Sequence, residues 1–365
     1  MKIPVIDMHC DTIALIRSCR VQGENRKTGR GAGVAPSLFF SVSEEELEGG
    51  IRLRRNGRHL DAERLKEGGY LCQCLGLCSS VRSAAAASVT PWEYLCLLCD
   101  TFDEEVADCA DILKPVTTGT EMERNFADGY VSVLKTIEDS MAMGGSIAHL
   151  KEMYARGVRV AGLTWNFENE LGYGHHLTES GLAVDDMNGL KPAGFEFVEA
   201  MEEMGMLIDI SHLNDAGTRD VFAAVKPSTP VIATHSNARG LCGHARNLTD
   251  AFLKQLADHG GVTGINFFHA FLNDRYMDDR NLRPEEKISA VSDMCEHMKY
   301  IRNIAGIDCI GLGSDFDGVS SALEVNGCGE IQKIAGAMEK AGFTGEEIEK
   351  VFYKNVLRVF KEVLG

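Results

Sequence analysis

Residues 206–236 read MLIDISHLNDAGTRDVFAAVKPSTPVIATHS. Two short apolar runs, 206–211 and 230–235, enclose a stretch of helical periodicity at 214–226. A strand, a crossover helix and a second strand of the same kind make a parallel βαβ unit. A histidine closes each run, His212 directly after the first and His235 as the last residue of the second. In a barrel of parallel strands, reactive side chains project from the C-terminal strand ends.

Working outward, six more apolar, β-branched runs bounded by turn residues appear at 3–8, 70–77, 130–137, 158–164, 261–268 and 308–314. Several are almost continuously apolar, as strands buried on both faces should be. Helical patterns fall between and after them, at 91–112, 143–156, 191–204, 250–259, 285–305, 329–342 and 345–363. Eight such rounds predict a (β/α)8 TIM barrel. An open doubly wound sheet is the alternative, but no glycine-rich phosphate loop follows the first run. A barrel of this kind accommodates 1–365 as a single domain, with a helical insertion around 10–69 between the first two strands. Residues 24–34 read as a surface loop and 83–88 as a loop passing into a helix.

The bulk properties exclude several classes. Apolar residues make up 44% and charged residues 25% of the chain, the balance of a soluble globular protein. With 54 acidic and 37 basic residues the net charge is -17, which repels nucleic acid and anionic membrane surfaces. The 12 cysteines are scattered through apolar runs rather than spaced as a disulfide framework. Cys96-x-x-Cys99 has a redox spacing, but it lies in an apolar helical pattern and reads as core packing. The opening Met-Lys-Ile-Pro-Val-Ile-Asp is too short an apolar run for a signal peptide, and the C-terminal segment is amphipathic and charged. These features together predict a cytoplasmic protein.

The chemistry sits at the strand ends. The first run ends in Asp7-Met8-His9-Cys10-Asp11, and alternation puts His9 and Asp11 on one side of an extended chain. The third run ends at Glu138, the fifth at His212, the sixth at His235, and the eighth in Ser314-Asp315-Phe316-Asp317-Gly318. One histidine at a strand end is ordinarily a hydrogen-bonded structural residue. Five ionisable ends on one rim are costly to bury without a cation. His9, Asp11, His212 and His235 offer four terminal donors, and Glu138 has two oxygens with which to bridge. Nitrogen and oxygen donors without thiolate suit catalytic zinc. Two metals about 3.5–4 Å apart can hold a hydroxide and polarise a carbonyl, as amide hydrolysis requires. Asp315, nearer the strand end than Asp317, is the expected proton shuttle. Arg246, in Gly243-His244-Ala245-Arg246-Asn247, could pair with a substrate carboxylate or stabilise an oxyanion.

These residues resemble the membrane dipeptidase (renal dipeptidase) family of zinc peptidases, in a soluble bacterial form. The resemblance runs from Ile6-Asp7-Met8-His9-Cys10-Asp11 to Asn355-Val356-Leu357-Arg358-Val359-Phe360. It includes Ile137-Glu138-Asp139-Ser140, Leu163-Thr164-Trp165-Asn166, Asp209-Ile210-Ser211-His212, Thr234-His235-Ser236-Asn237 and Ala245-Arg246-Asn247. It implies a (β/α)8 barrel with two zinc ions bridged by Glu138. His9 and Asp11 would hold one ion, and His212 and His235 the other. Arg246 and Asp315 would be the substrate-site arginine and the acid–base aspartate. The implied substrates are dipeptides, including some with a D-residue on the C-terminal side. Family members often pair, so a homodimer is compatible with the resemblance. Animal members carry a substrate-facing histidine where this chain has Trp165. His175 or His176 is a candidate replacement, although the plainer reading of that pair is an exposed polar loop.

The resulting expectation is a binuclear dipeptidase acting on small peptides through a metal-bridging hydroxide. A related metal-dependent amidohydrolase or lactonase on the same barrel is the alternative. Many of those begin with His-x-His and bridge through a modified lysine, whereas this chain offers His9-x-Asp11 and Glu138. A non-catalytic, metal-holding peptide binder is a further alternative, but a dead relative would often lose a residue such as Asp315.

Overall fold

Short apolar runs that are buried on both faces settle here into a closed ring of parallel strands. The structure, a computed structural model, describes residues 2–28, 42–175, 187–277 and 281–365. Eight strands form the ring: β1 (Val5–Asp7), β2 (Tyr70–Leu77), β3 (Val131–Ile137), β4 (Val158–Gly162), β5 (Leu207–Asp209), β6 (Ile232–Ala233), β7 (Val262–Ile265) and β8 (Ile310–Leu312). Around the ring, β2 pairs with β1, then β8, β7, β6, β5, β4 and β3 follow, and β3 closes on β2. Every pairing is parallel; Cys72 lies opposite Ser132 at the closure, and Asp7 opposite Leu312 between β1 and β8. This is the (β/α)8 barrel that the sequence pattern predicts.

The ladder is shorter at several ends than the apolar runs. The run 230–235 pairs only as Ile232–Ala233, and 206–211 only as Leu207–Asp209. The reason is local: the N–H of Thr234 donates to Asp209 Oδ1 at 2.9 Å instead of to a neighbouring carbonyl. Among the further short strands, Leu113–Pro115 pairs with the start of β3 below the point where β4 joins it. Three residues ending in proline carry no readable alternation, so the sequence pattern missed it.

Apolar side chains fill the lower part of the barrel. Ile6, Leu134, Val160, Leu207, Ile232 and Val262 form one cluster with Val356, Val359 and Phe360 of the terminal helix Asn355–Leu364. That helix plugs the N-terminal mouth, which leaves the opposite mouth to the polar strand ends. Between β1 and β2 the described residues hold helices Thr12–Thr28, Glu44–Gly49 and Ala62–Gly68. They are tied to helix Pro91–Ala107 through the buried Glu105, which pairs with Arg20 and accepts the N–H of Leu53 at 2.7 Å. Residues 24–28, expected in a loop, continue the first helix; 29–34 lie outside the described residues. Within 83–88, Ser83 to Ala86 belong to helix Val81–Ala86. Cys96 and Cys99 share helix Pro91–Ala107, and Cys99 Sγ packs 3.7 Å from Met153 Sδ, as core packing requires. Among the described residues no helix is long and apolar enough to cross a membrane.

Candidate active site

Two buried aspartates staple the strand ends in place. Asp7 of β1 accepts the N–H of Ser314 at 2.9 Å and its hydroxyl at 2.6 Å, fixing the start of the loop after β8 against β1. Asp209 of β5 accepts the hydroxyl of Thr234 at 2.6 Å and the N–H of Ser211 at 2.9 Å, fixing β6 against β5. Glycine permits the closest approach. A Cβ on Gly313 would lie 1.8 Å from the carbonyl oxygen of Thr234. The loops that carry His9, His212, His235 and Asp315 are thereby held against one another.

The five residues expected as metal ligands converge. Glu138 Oε1 lies 3.0 Å from His212 Nε2, 3.7 Å from His235 Nε2 and 3.6 Å from His9 Nε2. His9 Nε2 lies 3.6 Å from Asp11 Oδ2. Glu138 therefore stands between the two pairs.

Hydrogen bonding at the far ring nitrogens shows what the near ones require. His212 Nδ1 donates to Asn166 Oδ1 at 2.9 Å. The Thr234 hydroxyl spends its proton on Asp209, so it can only accept from His235 Nδ1, 2.7 Å away. Both rings therefore turn an Nε2 lone pair inward, and the two nitrogens lie 2.8 Å apart. Two lone pairs and a carboxylate oxygen meet there, and an Nη2 donor of Arg246 lies 3.1 Å from His212. Among the described residues His9 Nε2 is buried with no hydrogen-bond partner. A divalent cation fits this donor set, because it is what inward lone pairs and carboxylates accept in common.

Electrostatics agrees. Burial lifts the Glu138 carboxyl to about 8, assisted by the Asp11 charge, and lifts Asp315 to about 7. Burial works to lower His9, but Asp11, Glu138 and Asp315 outweigh it and raise the imidazole to about 10. Burial, with Arg246 and His9 nearby, drives His212 and His235 well below the ordinary histidine value and keeps them neutral. His212 and His235 are thus neutral imidazoles ready as ligands, and the raised carboxyls beside them call for a cation.

Asp315 sits at the rim of this cluster. Its Oδ1 is 3.9 Å from His9 Nε2, and Asn266 Nδ2 donates to its Oδ2 at 2.9 Å. Its backbone is left-handed, with φ 61°, which turns the chain sharply after β8. Asp317 faces elsewhere: it accepts from Thr12 Oγ1 at 2.6 Å and from the N–H of His59 at 2.9 Å. Arg246 is buried beneath the site; its Nη1 reaches the Ser211 carbonyl and Ser236 Oγ, and its Nη2 reaches the His235 carbonyl.

Above the cluster lies a cavity of about 210 Å³, walled by Tyr94, Trp165, His244, Phe268 and Phe271, with Asp11, Glu138, His212, Arg246 and Asp315 also facing it. Trp165 forms wall, its ring 5.9 Å from that of His212. His175 corrects an expectation: it is buried, donates its N–H to the His212 carbonyl at 3.1 Å, and is not among the lining residues. It is neither an exposed loop residue nor a replacement at Trp165, and His176 lies outside the described residues. Sequence reasoning missed Cys78, Asn166, Asn266 and His244. Cys78 had a signal, because it stands one residue past β2, where other strands carry ligands, and it groups with Asp11 and Glu138. His244 had only its nearness to Arg246.

Comparison with known proteins agrees with this architecture. An uncharacterized protein of Klebsiella pneumoniae is 32% identical over 272 residues, covering 74% of this chain and 95% of its own length. Two fungal relatives are 31% identical. An uncharacterized dipeptidase of Schizosaccharomyces pombe matches 71% of this chain and 58% of itself, and a dipeptidase of Aspergillus oryzae matches 69% and 57%. The chain thus spans little more than half of the fungal proteins. Among solved structures, a metallopeptidase of Rhodobacter sphaeroides bound to a phosphinate mimic of L-Ala-D-Ala shares the fold over the whole of both chains, with a TM-score of 0.80 and 24% identity. The family model for membrane dipeptidase, peptidase family M19, matches residues 1–364, and this chain belongs to that family of metallopeptidases.

Proposed function

We propose that the chain is a binuclear zinc dipeptidase, hydrolysing the peptide bond of dipeptides, including those with a D-residue on the C-terminal side. The observation that carries this reading is the convergence of His9, His212 and His235 on one oxygen of Glu138 at the floor of a cavity of about 210 Å³. His9 and Asp11 would hold one zinc ion, His212 and His235 the other, and Glu138 would bridge them. Bound there, the ions would supply Lewis acidity toward the peptide carbonyl and the attacking water. Asp315 takes the proton that water loses as its oxygen bonds to the carbonyl carbon, then passes it to the amide nitrogen as the C–N bond breaks. Asn266 holds the far oxygen of Asp315, leaving Oδ1 for the proton. Arg246 supplies the positive charge that draws the substrate carboxylate. The aromatic walls exclude bulk water and limit the length of the peptide. The Rhodobacter sphaeroides relative, described with a mimic of L-Ala-D-Ala, supports including the D-residue.

Residues 1–365 then work as one domain, supported by an apolar core that is continuous from Val5 to Phe352. Twelve unpaired cysteines support a cytoplasmic setting. The test is an assay of purified protein, with metal content measured in parallel, against L-L and L-D dipeptides, blocked dipeptides and lactones. Chelator-sensitive cleavage of free dipeptides with about two zinc ions per chain is expected. Turnover of lactones alone would overturn the substrate class.

A further inference from the structure

One buried, polar side chain of the cavity has no place in the chemistry so far. His244 lies two residues before Arg246 and lines the cavity beside it. The backbone N–H of Arg246 donates to His244 Nδ1 at 3.1 Å. Burial, with the charges of Arg246 and Arg239, lowers the imidazole to about 4, so it is neutral under ordinary conditions. A neutral ring that accepts at Nδ1 carries its proton at Nε2. That N–H meets no acceptor among the described residues. His244 and Arg246 both lie against one ring: Phe271 is 4.5 Å from the imidazole and 5.4 Å from the guanidinium carbon.

The state of Arg246 shows what this N–H is for. Both Nη groups are bonded to the wall, through Ser211, Ser236, His212 and His235. Its Nε is buried without a partner among the described residues. A carboxylate has two oxygens, and an arginine tied this way cannot offer the usual two-pronged fork. A second fixed donor beside it is needed, and an imidazole N–H held neutral cannot serve a substrate ammonium group instead.

We propose that His244 donates from Nε2 to the C-terminal carboxylate of the substrate, completing with Arg246 the recognition of a free carboxyl end. This rests on the dipeptidase reading and extends it to a residue that determines specificity. His244→Asn is the discriminating variant. Its Oδ1 can still accept the N–H of residue 246 in an Asx turn, preserving the loop, while the outward donor is lost. With zinc-loaded enzyme, KM for a free dipeptide should rise about tenfold or more, KM for the matching C-terminal carboxamide should stay the same, and kcat should change little. Calorimetric binding of a free amino acid, compared with its amide, should show the same selective loss. His244→Gln, whose amide reaches about as far as Nε2, should recover part of the preference for the acid, and serves also if the Asn variant is unstable. Equal effects on acid and amide, or none, would overturn the assignment of His244 and leave the dipeptidase reading standing. A wild-type enzyme that cleaves no free dipeptide would overturn both.

Discussion

At the scale of single residues, the site separates groups that hold from groups that react. Asp315 faces the cluster but is anchored by Asn266, not by the imidazoles of β5 and β6. Asp315→Asn should therefore keep both metals, by elemental analysis, while kcat falls about 10²–10⁴-fold, the usual range for losing a general acid–base. Loss of metal in that variant would make Asp315 a ligand instead. Thr234 acts through another residue. Its hydroxyl donates to Asp209 and accepts from His235 Nδ1, and so sets the tautomer that turns Nε2 inward. Thr234→Val should weaken the metal at His212 and His235 by about 10–100-fold in a chelator competition, with the other metal less affected. Equal affinity would mean that the ring needs no such guide. The proposed ligands were legible in the sequence because strand ends recur and ionisable residues are unusual there. His244 was not, because its role depends on two loops meeting at Phe271, which no periodicity reports.

At the scale of elements, ladder hydrogen bonds stop early where side chains take over. Asp209 accepts the Thr234 N–H, and Asp7 accepts the Ser314 N–H, so β6 and β8 end before their apolar runs do. Strand existence and order could be read from apolar runs and intervening helices. Strand ends could not, since the choice between carbonyl and carboxylate is made by the neighbouring strand. Leu113–Pro115 was invisible for the related reason that three residues pair only because β3 has a free edge below β4. These close junctions make a prediction about glycine. Gly313 follows β8, and a methyl group there would run into the carbonyl oxygen of Thr234 and lie 3.1 Å from the Cα of His235. Gly313→Ala should cost about 1–3 kcal/mol, toward the upper end because the contact is backbone. It should also loosen metal binding, because β8 and the His235 loop must part. Urea denaturation checks the first effect; an unchanged midpoint would show that the loops separate without strain.

At the scale of the whole molecule, the proposed metal centre draws on strands from around the barrel. The proposed ligands come from the ends of β1, β3, β5 and β6, half of the ring. Asp11 and Glu138, both buried, and Asp315, partly buried, gather three of the carboxyls of a chain whose net charge is -17. Burial lifts Glu138 to about 8 and Asp315 to about 7, so a metal-free protein near neutral pH either protonates these groups or holds their charge against the low dielectric. A divalent cation held there would relieve that cost in the folded state and would find no such preformed site in the unfolded chain. Binding free energy therefore becomes folding free energy. At a free zinc concentration one hundred times Kd, each site would add about 2.7 kcal/mol. Chelated protein should melt at a lower temperature than the zinc-loaded form, and the melting temperature should climb with the logarithm of free zinc. The gain should shrink as pH falls, because protons compete for the imidazoles and carboxylates that bind the metal. Calorimetry at fixed free zinc and several pH values measures all three. Identical melting with and without chelator would mean that the converging lone pairs and carboxylates need no cation, and the metal assignment would fall with them.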